Sequence, residues 1–144
     1  MTHTKLAFMA IPVLAVLMIG AAMTPAYSTP ESIDIDIKPG SDPNSINPRS
    51  MGLVPVAILG TANFDVGFVV VSTLQFGPAG ASPVHDGHYE DVNDDGFTDL
   101  VTHYLVKETG IANGDTQACL SGFTEVGGFI TACDAVKTPG GGNP

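Results

Sequence analysis

Past residue 30 no apolar run of this chain outlasts a β-strand, and glycine or proline closes most of them. Leu53-Val54-Pro55-Val56-Ala57-Ile58-Leu59 ends at Gly60, and residues 73–76 stop at Gly77-Pro78. With 17 glycines and 11 prolines in 144 residues, helices of ordinary length have few places to form. Glycine loses too much backbone entropy there, and proline removes a donor and clashes with the preceding turn. The chain reads as turn-rich and all-β, and 44% apolar residues are enough for one core rather than a disordered coil.

Ser32-Ile33-Asp34-Ile35-Asp36-Ile37 alternates polar and apolar, the mark of a strand with one buried and one wet face. Residues 38–52 are dense in Pro, Gly, Ser and Asn and predict either an ordered loop crossing from one sheet to another or a mobile one. Pro55 within the 53–59 strand predicts an edge position or a bulge, because proline cannot donate to a ladder. Residues 63–71 hold a turn, and 73–76 a short strand. In 100–107, Leu100, Thr102, Tyr104 and Val106 share one side, with Val101, His103 and Leu105 on the other; both sides are largely apolar, so this strand belongs in a sheet centre. Two strands in 116–136 bring the count to about six or seven. Short strands at this spacing favour a two-sheet antiparallel β-sandwich of immunoglobulin-like kind over residues 27–137, followed by a flexible Gly/Pro tail at 138–144.

Apolar residues 6–23 follow a lone Lys5, and small residues come next, with Thr24-Pro25-Ala26 fitting a signal-peptide cleavage rule. The expectation is an export segment at 1–26, cut after Ala26, and a secreted or cell-surface product with no membrane insertion after cleavage. An uncleaved anchor is the alternative, since the run reaches the lower limit of spanning length. Export sets an oxidising context, in which Cys119 and Cys133 pair. Their midpoint is 126, beside the turn at Val126-Gly127-Gly128, which places them opposite each other on a hairpin. Two reduced buried thiols are the other reading. A formal charge of −10 excludes nucleic acid and anionic membrane as partners and favours cations.

The densest local signal is Asp91-Val92-Asn93-Asp94-Asp95-Gly96-Phe97-Thr98-Asp99. Oxygen side chains stand at positions one, three, five and nine, with glycine at six, the spacing a calcium ion needs to collect six to eight oxygens in one turn. Asp91, Asn93, Asp95 and Asp99 are the expected side-chain ligands, Phe97 adds its carbonyl, and Asp94 faces outward. An EF-hand would put a glutamate at position twelve on a helix; here that position is Thr102 on a strand. A solvated acidic turn without an ion is the alternative, at the expense of repulsion between carboxylates.

His85, His88 and His103, with Glu90, make a second constellation. They could in principle hold zinc and so support a small exported hydrolase, although Gly87 interrupts any helical His-Glu-x-x-His scaffold. Otherwise His88 or His103 hydrogen-bonds the loop carboxylates from behind. Glu90 and Glu108 are a weaker glycosidase pair, better explained as a solvated face. No nucleophile elbow, phosphate loop or dinucleotide fingerprint is present, so no catalytic residue is assigned.

The stretches IDIKPGSDPNSINPRSMGLVPVAILGT, FGPAG, HDGHYEDVNDDGFTDLVTHY, ETGIANGDTQACLSG and the final Cys133-Asp134 resemble a module recurrent in exported bacterial and archaeal proteins. The acidic loop itself resembles those of integrin-type and adhesin-type repeats. The resemblance covers about residues 32–136 and implies a calcium-loop β-sandwich without an attached reaction. The expected function is a calcium-stabilised extracellular protein in structure, adhesion or binding, whose partner is a protein or a polysaccharide. Alternatives are the zinc hydrolase and a surface-layer or filament subunit, the latter resting on the edge-strand character of residues 32–37.

Overall fold

Alternation over residues 32–37 has the effect that period-two patterning requires. Ile33, Ile35 and Ile37 are buried while Asp34 is exposed. The computed structural model describes Gly20 and residues 29–140. Apart from Gly20, the expected export segment with its expected cut at Ala26, and the last four residues of the tail, lie outside the described residues.

Eight strands follow in order: β1 (Glu31–Ser32), β2 (Asp34–Ile37), β3 (Leu53–Leu59), β4 (Gln75–Phe76), β5 (His88–Glu90), β6 (Asp99–Leu105), β7 (Gln117–Phe123) and β8 (Phe129–Ala135). The described residues contain no α-helix, only three short 3-10 turns, Val66–Phe68, Val71–Thr73 and Val106–Glu108. Two four-stranded sheets result, in the orders β1-β8-β7-β4 and β2-β3-β6-β5. Every pairing is antiparallel except that of β1 with β8. The fold is thus an all-β, sandwich-like pair of sheets, and its eight strands exceed the expected six or seven because β1 and β5, of two and three residues, are too short to show an alternating pattern.

The core lies between the sheets. Val54, Val56 and Ile58 of β3 and Leu100 and Tyr104 of β6 meet Phe76 of β4, Leu120 of β7 and Ile130 of β8, all but fully buried. The rings of Phe76 and Tyr104, 5.1 Å apart, join the two layers. Burial pushes the Tyr104 hydroxyl up to about 12, and Thr102 Oγ1, also buried, meets it at 2.9 Å, so the polar tip is not stranded in the core.

β6 is interior, as its two apolar sides predict, but Pro55 is not at an edge. β3 lies between β2 and β6, and the reason proline is tolerated there is visible in the register. The last β2–β3 pair is Ile37 with Val56, one residue short of Pro55. The Pro55 carbonyl, pointing to that side, accepts from Lys38 N at 2.8 Å. Its missing N–H therefore falls where β2 has already ended, and the ladder to β6 loses nothing.

The 38–52 segment is an ordered loop that does not cross between sheets. It joins two antiparallel neighbours, β2 and β3, and leans across the sandwich on the way: Asn44 Nδ2 donates to Asp134 Oδ2 and to the Ala135 carbonyl, both at 2.9 Å, and Ile46 N donates to Lys137 O. The crossing falls earlier, at Ile33, where the chain passes from β1 in the first sheet to β2 in the second. β2 is an edge in its own sheet, yet Ile37 N donates to Asp134 Oδ2 of β8 at 2.9 Å. At the far end of the chain Thr138 is buried and its Oγ1 donates to Asp115 O, so packing continues one residue beyond 137.

β7 and β8 form the expected hairpin, with Cys119 opposite Cys133 and the two joined by a disulfide. The Cys119 carbonyl accepts from Gly77 N on the other side, so the cysteines occupy a non-hydrogen-bonded pair, where side chains approach most closely. The double substitution Cys119→Ala/Cys133→Ala should lower unfolding free energy by about 3 kcal/mol, the chain-entropy value for a loop of this length. Urea titration of the oxidised parent and the variant measures it.

Candidate functional site

Between β5 and β6 the acidic loop turns on two residues with positive φ, Asp94 at 58° and Gly96 at 88°. Gly96 supplies the left-handed geometry at no steric cost, and aspartate tolerates it better than most residues. The side chains at positions one, three and five point back into this turn. Asp91 accepts from Asp95 N at 3.2 Å and from Gly96 N at 2.8 Å. Asn93 Oδ1 accepts from Asp95 N at 3.3 Å, and its Nδ2 donates to Asp95 Oδ2 at 3.1 Å. Asp95 Oδ1 accepts from Phe97 N at 2.9 Å. All three side chains are exposed, and each carboxylate oxygen keeps a lone pair beyond the N–H it accepts.

Asp99, position nine, differs from the others. It is fully buried, and its two oxygens accept from Gly60 N and Val92 N, each at 2.8 Å. One carboxylate thus ties the entrance of the loop to the end of β3 while it begins β6. Gly60 is required there, because a Cβ would overlap the Thr98 carbonyl. Phe97 is 41% exposed, and Asp94 faces outward among exposed neighbours. Among the described residues no lysine or arginine pairs with any of the loop carboxylates. Thr102, the position a glutamate would hold in an EF-hand, is buried in the core.

The histidines gather on the outer face of the second sheet, a few residues away. His88 pairs with Val101 across β5–β6, and His103 follows Val101 on the same face. His103 lies with its ring centre 5.0 Å from that of His85 and 5.9 Å from that of His88. Its Nδ1 is buried without a hydrogen-bond partner. Burial first, and then the neighbouring His85 and His88, lower the His103 pKa from its ordinary value. His88 Nε2 stands 3.7 Å from Glu90 Oε2, and none of the histidines hydrogen-bonds to the loop carboxylates among the described residues. Residues 88–90 are strand, so a helical zinc motif does not form. Among the described residues no group of three or more His, Cys, Asp or Glu side chains is placed to hold a metal ion. Glu90 and Glu108 are both exposed, on β5 and on the 106–108 turn.

Two features escape local pattern reading. Asp134 binds Ile37 N and Asn44 Nδ2, partners 97 and 90 residues away along the chain; the only local hint is its place beside Cys133. Across from it, burial, then the charges of Asp134 and Asp99, raise the Asp36 pKa. A groove of about 360 Å³ opens elsewhere, lined by Thr61, Asn63, Phe64, Phe68, Thr124 and Val126. Phe68 and Val126 come from segments that read as turns, so nothing in their spacing announces a surface.

No protein-family model, curated protein or solved structure matches the chain. Among the described residues no helix is long and apolar enough to cross a membrane.

Asp99→Ala strands two backbone donors at the start of an interior strand and should cost about 3 kcal/mol or more of stability, the range for charge-assisted hydrogen bonds lost in a buried place; denaturant unfolding in chelator isolates this from any ion. Asp36→Asn should act in the opposite direction. A raised folded-state pKa means that ionised Asp36 opposes folding at neutral pH, and that the penalty disappears as pH falls through the raised value. The variant should melt higher than the parent at neutral pH, with the gain shrinking on acidification toward the ordinary carboxylate range.

Proposed function

We propose that the protein is an exported, calcium-stabilised sandwich of immunoglobulin-like kind that acts extracellularly, in binding, adhesion or surface structure, rather than by turnover. The acidic loop carries the reading. Four carboxylates and an amide stand within nine residues with no basic partner among the described residues, and three of those side chains are turned into one left-handed turn ahead of an interior strand. Such a set repels itself in the absence of a cation and suits a hard one that takes carboxylate, amide and carbonyl oxygens.

Asp91, Asn93 and Asp95, with the Phe97 carbonyl, would hold the ion, and Asp99 would contribute its remaining lone pairs while it keeps the loop on β3. The ion supplies charge compensation and loop rigidity. Asp99 then passes that rigidity to β6, the interior strand paired with β3 and β5. The disulfide supports the extracellular setting, since such bonds persist in oxidising compartments. Together with a charge of −10, this favours a protein or neutral polysaccharide partner over nucleic acid.

Thermal melts of the parent and of Asp95→Ala in calcium and in chelator test the reading. Saturating calcium should stabilise the parent by about 2.7 kcal/mol at a hundredfold excess over its dissociation constant, and Asp95→Ala should abolish that shift. An equal calcium shift in parent and variant removes the loop as the site.

A further inference from the structure

We infer that the end of the sandwich built by the β7–β8 turn and residues 61–70 is a docking surface for a protein segment that carries apolar side chains beside lysine or arginine. Such a surface rests on the extracellular binding role proposed above and does not depend on an ion in the acidic loop.

Four of the nine large apolar side chains exposed among the described residues stand at this end: Phe68, Phe123, Val126 and Phe129, from 37% to 87% exposed. Register brings them together. Val69 bridges Thr124 in antiparallel sense and both are buried, so Phe68 and Val70 turn outward beside Glu125 and Phe123. Backbone hydrogen bonds hold that arrangement, from Val70 N to the Phe123 carbonyl at 2.9 Å and from Glu125 N to the Phe68 carbonyl at 2.8 Å. Phe123 in turn pairs with Phe129 across the hairpin, with ring centres 5.4 Å apart. An apolar strip thus crosses three adjoining segments and has no cover among the described residues.

Phe68 also lines the groove of about 360 Å³, with Phe64, Thr61, Asn63 and Val126. Its walls are tied in place. Thr61 and Phe64 exchange backbone hydrogen bonds across their turn, Asp65 Oδ1 accepts from Gly67 N at 2.8 Å, and Thr124 N donates to the Gly128 carbonyl at 2.9 Å. A hollow formed in advance beside an apolar strip receives a side chain without first having to be ordered, the condition under which a few anchor residues carry most of an affinity.

Charge selects the occupant. Glu31 and Asp65 line the same groove and Glu125 follows from the hairpin beside Phe68; all three are exposed, and none pairs with a base among the described residues. Between Arg49 and Lys107, and from there to Lys137, the chain has no lysine or arginine, so the rim of the apolar strip is acidic throughout. An apolar centre inside an acidic rim is complementary to a partner whose apolar residues are flanked by basic ones. A second copy of this chain would set these carboxylates against their own kind, with a formal charge of −10 on each molecule, and an anionic membrane would meet the same repulsion. A neutral glycan offers the rim no charge, and phenylalanine and valine have no donor or acceptor for its hydroxyls.

Fluorescence anisotropy of a labelled leucine–lysine amphipathic peptide, titrated with the full chain, is the test, with a leucine–glutamate peptide and a lysine peptide lacking leucine as references. The expected result is saturable binding of the first peptide alone, weakened by salt. Its affinity should fall at least about tenfold in each of Phe68→Ala and Val126→Ala, fall also in the triple substitution Glu31→Gln/Asp65→Asn/Glu125→Gln, and stay unchanged in Tyr89→Ala on β5. Each of these side chains is exposed, so the substitutions leave the core as it is. Asp95→Ala should bind the peptide as the parent does, which separates a failure of this surface from a failure of the calcium loop. Equal binding of the lysine peptide without leucine means that charge alone is at work and overturns the assignment. No saturable binding overturns it too. Peptide binding that survives both Phe68→Ala and Val126→Ala keeps the binding role but moves it elsewhere on the molecule, and Phe68-dependent retardation by a neutral polysaccharide in affinity electrophoresis, without peptide binding, gives the surface to a glycan; either result overturns the docking assignment.

Discussion

The Asp99 carboxylate, fully buried and accepting from Gly60 N and Val92 N, is the interaction on which the second sheet depends. A buried charge is tolerated only where hydrogen bonds replace its lost water, and here both donors are backbone groups with fixed positions. That requirement aligns three things at one point: the end of β3, the entrance of the acidic loop and the first residue of β6. Since β6 pairs with β3 on one side and β5 on the other, the carboxylate sets where the interior of the sheet begins.

The two sheets are held together by a different set of forces. Phe76 and Tyr104 fill the space between the layers, and apolar burial supplies most of the stabilisation at about 25 cal/mol for each Å² removed from water. At the side where β2 meets β8 the seam is polar: Ile37 N and Asn44 both reach Asp134, and the chain itself changes sheet at Ile33. An edge that would otherwise expose a row of unpaired donors is partly covered by this arrangement. Its electrostatic cost shows at Asp36, whose carboxyl shares that side of the molecule with Asp134 and is raised by burial and by its neighbour.

Two sets of polar side chains divide over the second sheet. Oxygen donors collect in the loop before β6, and imidazoles collect on the outer face of β5 and β6. The division follows from alternation: residues 99, 101 and 103 lie on the face of β6 away from the inter-sheet core, where Asp99 and Val101 are nonetheless covered, while 100, 102 and 104 fill the core. One strand thus carries a carboxylate anchor at its start and a half-buried histidine four residues on, with Val101 between them, and each is met by a different loop.

The amino-acid sequence determined the periodic and local features of this protein. Strand 53–59, the two-sided apolar strand that became β6, the hairpin with Cys119 opposite Cys133, and the need for glycine at 96 could all be read because hydrophobic period, turn chemistry and hairpin midpoint are properties of neighbouring residues. The place of the acidic segment as a turn leading into a strand was legible for the same reason. What the tertiary structure alone decided involves residues far apart in the chain. Pro55 reads as an edge residue until the length of β2 shows that its missing donor faces a strand end. The 38–52 loop reads as a crossing until β2 and β3 are seen to pair. The partners of Asp134 have no local signature, because hydrogen bonds form wherever packing brings side chains together, and the packing is set by the whole core.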